Sequence, residues 1–254
     1  ENQIQKDTFI LKGSGQEEVY QPKFTWHGFR YVEITGYPGK PSPDKVIGVL
    51  VHSAVDQIGN FECSNQIFND IFELYKWSQL TNFHGGVPSD CPHRERLGYT
   101  GDGQLTAEAA IYCFDMLDFY RKWIDDIADS QGEKSGHVQH TAPFCGGGGG
   151  PGAWGCAYIL MPWYMYLYYG NKTILKKNYE GMVKWMNYLK SRTDKNLIVK
   201  REEEGGWCLG DWCCPGETEI PESLVNTFYF AYSADIMSQI ANILGKDEEI
   251  RKII

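Results

Sequence analysis

Pro88-Ser-Asp-Cys-Pro-His-Arg-Glu-Arg-Leu-Gly-Tyr-Thr-Gly-Asp-Gly103 sets three carboxylates (Asp90, Glu95, Asp102) and two guanidiniums (Arg94, Arg96) within thirteen residues. The stretch separates two apolar segments of helical spacing, and Pro88, Pro92, Gly98, Gly101 and Gly103 argue against one continuous helix through it. Its charges therefore fall on a shaped loop or a broken helix, where a rigid scaffold usually presents chemistry. A run of Asp, Glu and Arg can equally be a solvated linker. Cys91, Leu97 and Tyr99 are interleaved with the charges, which suits a partly buried loop, and a buried carboxylate needs the partner that the arginines supply.

Upstream of this stretch the chain reads as β. Thr8–Lys12, Phe29–Thr35 and Val46–His52 are short runs rich in branched and aromatic residues, punctuated by glycine and proline. Three or four such strands make an incomplete sandwich whose edges need a partner. From Ser64, a plausible N-cap, the period changes to helical as far as about Thr81. Downstream, Gln104–Tyr112 and Met116–Asp129 read as helices, with Asp115 able to cap the second. Gly132–Gly152, with five glycines in a row, is expected to be a surface loop. Cys156–Tyr169 is an apolar helix in which Pro162 should kink the chain or sit in the first turn. Ile174–Leu189 is amphipathic, Pro221–Leu244 is a long helix stopped by Gly245, and a further helix starts at Asp247.

Asp90-Cys-Pro-His-Arg-Glu-Arg-Leu-Gly-Tyr-Thr-Gly-Asp102 resembles the signature loop of the α-L-rhamnosidases of glycoside hydrolase family 78. A second stretch, Phe24-Thr-Trp-His-Gly-Phe-Arg-Tyr-Val-Glu33, resembles the segment closing the β-sandwich just before the catalytic domain of that family, in the right order and separation. The resemblance implies a mainly α fold: strands 1–60 from the end of an antiparallel β-sandwich, then residues 61–254 as the first half of an (α/α)6 toroid. The seven or so helices read above fall well short of a full toroid. The apolar faces of Ile174–Leu189 and Pro221–Leu244 would then be left open, as in a fragment, unless the long helices close on each other as a small complete domain.

By position, the resemblance makes Glu95 the general acid, with Asp90, Arg94 and Asp102 on the sugar hydroxyls. Tyr99 stands where many members carry Trp, a smaller stacking surface with a hydroxyl. Trp154 and the Gly210-Asp-Trp212 segment fall where the family has pocket residues, so Trp154, Asp211 and Trp212 join the candidates; each Trp reads equally well as core packing. The implied reaction is inverting hydrolysis of terminal α-L-rhamnose from a glycan or glycoside, with no cofactor and no metal. The general base is expected beyond Ile254; Glu217, Glu219 and Glu222 read better as solvent-facing residues complementing a helix dipole.

Glu95 has two opposing sets of neighbours. Arg94 and Arg96 lower its pKa, whereas Asp90 and Asp102 raise it, and an acid working near neutral pH needs a raised value. If it is not catalytic, it is an arginine-paired structural carboxylate. Rival functions are a toroid glycosidase acting on another sugar, a carbohydrate-binding relative without turnover, and a helical scaffold for protein partners.

The net charge of −9 argues against nucleic acid or an anionic membrane as partner, and no apolar run reaches the ~20 residues of a span. Hydrophobic residues make up 42% and mean hydropathy is −0.42, as in an ordinary soluble protein. Eight cysteines lack the CxxC spacing that would make a zinc site of Cys91, His93, Cys208, Cys213 and Cys214. The chain lacks a signal peptide and an initial Met, so it reads as processed or excised. An extracytoplasmic location follows from the resemblance alone.

Overall fold

The computed structural model describes residues 4–146, 148–199, 206–211, 214–246 and 248. Its helices are α1 (Gln66–Leu80), α2 (Thr100–Cys113), α3 (Leu117–Asp129), α4 (Ala157–Tyr169), α5 (Lys172–Ser191) and α6 (Glu222–Leu244). Two short antiparallel hairpins, β1 (Phe83–His84) with β2 (Val87–Pro88) and β3 (Thr193–Asp194) with β4 (Leu197–Ile198), follow α1 and α5. Trp212 and Cys213, and most of the helix expected from Asp247, lie outside the described residues.

Helix α4 is apolar all round, which a helix tolerates only when it is enclosed. Every residue from Ala157 to Met165 is buried, and α2, α3, α5 and α6 pack around it. Pro162 is the sixth residue of α4, beyond the first turn, and the helix continues through it. Helices α3 and α5 are amphipathic and bury one face each: Tyr120, Trp123, Ile124 and Ile127 on α3, Leu175, Tyr179, Met182 and Trp185 on α5. Asn171 caps α5 by accepting from Ile174 N (3.2 Å), and Gly170 and Gly245 close α4 and α6 in the left-handed conformation that favours glycine. On α1 the cap is Asn65, whose Oδ1 accepts from Ile67 N at 3.1 Å, and not Ser64.

Three expectations change. The inner face of α5 is closed by its neighbours; Leu224 and Phe228 of α6 are exposed as expected, and a further open apolar surface lies on α1, where Ile67, Phe68, Ile71, Leu74 and Trp77 are exposed. The strand-like runs of residues 8–52 form no paired ladder among the described residues, and Ile10, Tyr31 and Ile47 are exposed. Strand-like runs without a sheet partner among the described residues leave their backbone edges unpaired. Finally, the glycine-rich segment is no surface loop. Gly136–Val138, His140–Ala142 and Gly149–Gly152 are buried, and a Cβ on Gly149 would stand 2.2 Å from the His137 ring. Glycine there permits close approach between chain segments.

Candidate active site

The signature stretch follows the β1–β2 hairpin, which turns at Gly85 and Gly86, both at positive φ. Asp90 closes the loop on itself. Its N–H donates to Leu97 O (3.1 Å) and its Oδ1 accepts from Leu97 N (3.0 Å), so residues 91–96 stand out as one bend. Past Leu97 the chain is clamped to the glycine-rich segment: Ala142 N donates to Gly98 O (2.9 Å) and Thr100 N to His140 O (2.8 Å). Helix α2 then starts at Thr100, earlier than the sequence suggests, despite Gly101 and Gly103. Both glycines are required by packing. A Cβ on Gly101 would lie 2.4 Å from the Trp154 ring and one on Gly103 2.2 Å from the Trp123 ring. Asp102 is thereby placed in the first turn of α2, where the helix dipole favours a negative charge.

Within the bend, Arg94 Nε donates to Glu95 Oε2 at 2.8 Å. The Cys91 thiol lies 2.9 Å from Asp90 Oδ2 and 3.5 Å from Glu95 Oε2. Ligating atoms of Asp90, Cys91 and Glu95 all fall within 4.8 Å of one another, close enough to hold a cation. Arg94 already neutralises this cluster in part, so its geometry stands without one. Cys208 is engaged elsewhere, donating to Pro151 O and accepting from Asn226 Nδ2 (both 3.0 Å).

Burial raises the Glu95 carboxyl, but hydrogen bonds from Arg94, its own N–H, Asp90 and Cys91 outweigh burial and bring it down to about 2. Asp90 moves the other way, pushed up by burial and by the neighbouring Glu95 against the lowering bonds from Cys91 and Leu97 N. A proton shared by the two rests on Asp90. Asp102 is raised by desolvation and by the charges of Asp90 and Glu95, and burial together with the same carboxylates raises the Tyr99 hydroxyl. Glu95 therefore stabilises the fold above its ordinary value of 4.5, a contribution lost as pH falls towards 2. For Asp90 and Asp102 the sign is opposite: ionised they oppose folding, and falling pH relieves them.

The structure thus gathers Asp90, Arg94, Glu95, Tyr99 and Asp102 in one field. Trp154 is only 9% exposed, wedged between Gly101 and the His140 ring (centroids 6.1 Å), so here it supports the start of α2 more than it presents a wall. Asp211 sits in a half-buried bend, beside Gly210 that packs on Glu222 of α6. No hydrogen bond or ion pair joins it to the 90–102 cluster among the described residues.

Sequence reasoning missed the far wall. Phe24, Thr25 and Trp26 line a cleft of about 290 Å³ with Glu95 and Arg96. Arg96, held at φ 54°, donates to Trp26 O (3.0 Å) and lies 5.5 Å over the Trp26 ring, whose other neighbour is His84 (4.2 Å, stacked). No local pattern signals a contact across seventy residues. His140, read as a surface residue, is 1% exposed and faces Trp154 and Trp207.

The chain is 40% identical over 243 residues to an alpha-L-rhamnosidase of Streptomyces avermitilis, covering 95% of this chain and 23% of that protein. To one of Formosa agariphila it is 38% identical over 217 residues, 82% of this chain and 22% of the other. The crystal structure of the Streptomyces avermitilis enzyme complexed with L-rhamnose superimposes with a TM-score of 0.84 at 38% identity, over 96% of this chain and 23% of that chain. The alpha-L-rhamnosidase from Dictyoglumus thermophilum gives 0.82 at 41% identity, over 92% and 26%. The chain spans about a quarter (22–27%) of the length of the curated relatives it matches. Residues 1–52 match the bacterial alpha-L-rhamnosidase concanavalin-like domain. Residues 56–253 match the bacterial alpha-L-rhamnosidase 6 hairpin glycosidase domain, and the chain belongs to that family.

Proposed function

We propose that this chain carries the acid half of an inverting α-L-rhamnosidase site, acting on a terminal rhamnose of a glycan or glycoside. The observation that supports this best is the closed loop that holds Asp90, Arg94 and Glu95 together, with Tyr99 and Asp102 in the same field, and sets Glu95 on the wall of a cleft, in a chain of this family. Residues 1–60 would form the end of the sandwich and 61–254 the first part of the toroid. Glu95 protonates the leaving oxygen, Asp90 and Asp102 hold sugar hydroxyls, and the base comes from outside the described residues, at the roughly 6.5–9.5 Å separation that admits a water. Trp212 and Asp211 complete the pocket in this reading, as does the edge of Trp154.

The ion pair with Arg94 bears directly on mechanism. In the loop as it stands, the bonds led by Arg94 hold Glu95 low, while burial and the neighbouring Glu95 push Asp90 up. An arriving sugar hydroxyl that draws the half-exposed Arg94 away removes the main hydrogen bond holding Glu95 down, and the Glu95 carboxyl, crowded by Asp90, then rises towards the range an acid needs. The acid is armed by its substrate. Arg94→Met removes the lowering hydrogen bond permanently. It is expected to move the alkaline limb of the kcat/KM–pH profile, which reports the free enzyme's acid, to higher pH while raising KM. A limb that stays in place or moves down would sink the assignment of Arg94 as the group setting Glu95's ionisation.

The same ion pair also favours a second reading, a carbohydrate-binding relative in which Glu95 is a permanent arginine partner. Hydrolysis of an aryl α-L-rhamnoside by the full natural protein separates the two. Turnover supports the hydrolase; rhamnose binding without turnover supports the lectin-like role.

A further inference from the structure

Phe24 is an aromatic residue with nothing local to justify it. It is fully exposed (103%), and its backbone is left-handed at φ 58°, a conformation that non-glycine residues rarely adopt. Single exposed apolar residues are ordinary. One held in a strained conformation beside a cleft points to function. The next two residues, Thr25 and Trp26, continue the same wall, and Trp26 is locked by Arg96 on one side and His84 on the other. Gly28 lies so near the bend that a Cβ there would come within 2.9 Å of His93 Cβ. The segment is thus held against the signature loop at several points.

Of the three carboxylates in the loop, Glu95 alone lines this cleft, facing Phe24, Thr25 and Trp26. In the proposed reaction, the oxygen that Glu95 protonates joins the rhamnose to its leaving group. Asp90, Tyr99 and Asp102, the residues read as holding the sugar, interact with Glu95 through its charge but are not among the residues that line this cleft. A group that reaches Glu95 through this cleft, apart from those sugar-holding residues, is the one that departs.

We propose that Phe24, Thr25 and Trp26 form the wall of the leaving-group subsite, taking a flat apolar face such as an aromatic aglycone against the Phe24 ring, with Thr25 and the Arg96–Trp26 pair at the polar edge. This rests on the hydrolase reading above. The cleft volume of about 290 Å³ lies at the small end of ligand pockets, room for one ring system rather than an extended glycan. The N-terminal segment, not the helical one, then selects what rhamnose is attached to.

The test compares 1-naphthyl and methyl α-L-rhamnoside in the full natural protein, with released rhamnose measured for both. Phe24→Ala is expected to lower the naphthyl-to-methyl ratio of kcat/KM by about 3–20-fold, as loss of an aromatic face and its buried area predicts. Phe24→Tyr should restore most of it. Phe24 is fully exposed among the described residues, so the unfolding midpoint of Phe24→Ala is expected to match wild type, and a change in ratio at an unchanged midpoint reads as recognition. An active wild type whose ratio does not move in Phe24→Ala overturns the subsite alone. A wild type that hydrolyses neither glycoside overturns the hydrolase reading, and this proposal with it.

Discussion

Glu95→Gln is expected to lower kcat for an aryl α-L-rhamnoside by about 10²–10⁴-fold, the contribution of one positioned general acid. Gln keeps the size of the side chain and can still accept from Arg94, so the bend should survive. What it cannot do is hold a transferable proton. The loss should be smaller for a nitrophenyl leaving group than for an alkyl one, since a good leaving group needs less protonation. That dependence separates lost acid catalysis from a distorted loop, which would damage both substrates alike. Asp90→Asn is the informative companion, because burial and the neighbouring Glu95 push the Asp90 carboxyl up, the direction a general acid needs. If Glu95→Gln retains activity within about tenfold while Asp90→Asn abolishes it, the acid is Asp90 and the roles of the two carboxyls are exchanged.

The second large effect concerns stability. Trp123 is fully buried on α3, its ring fills the space left by Gly103, and its Nε1 donates to Ala142 O at 2.9 Å. One side chain therefore supports the first turn of α2 and the glycine-rich segment that clamps Gly98 and Thr100. Trp123→Ala is expected to cost about 3–5 kcal/mol, the range for emptying a buried large aromatic site. In a domain of this size that corresponds to a midpoint lower by on the order of 10 °C. Trp123→Phe keeps much of the volume but strips the Ala142 carbonyl of its donor, and should cost about 1–3 kcal/mol. Urea unfolding followed by fluorescence measures both. A loss under about 1 kcal/mol for the alanine variant would show that α2 is held by its own contacts and not from below.

Much of this was legible beforehand because the information was local. The periodicity of Ile174–Leu189 reports one buried face, and the apolar run Cys156–Tyr169 reads as a helix, although its central, enclosed place and its passage through Pro162 came from the structure. Glycine after Tyr169 and Leu244 marked two helix ends. Errors arose where the decisive neighbour was distant. Gly101 and Gly103 look like helix breakers until Trp154 and Trp123 arrive against them. The polyglycine segment looks unpackable until its small size admits His137.

By itself, the sequence determined the order of elements, the residues of the charged loop and the chemistry they could support. Helix and strand patterns and turn residues act within a few positions of one another. Only the tertiary structure decided the ionisation of Glu95. Arginines and aspartates flank it in sequence with opposing expected effects, but in space Arg94 at 2.8 Å, together with hydrogen bonds from its own N–H, Asp90 and Cys91, outweighs burial and brings it down to about 2. The tertiary structure likewise decided that Phe24 and Trp26 stand opposite that carboxylate. Charge and contact depend on distance in space, and seventy residues of chain say nothing about that until they fold.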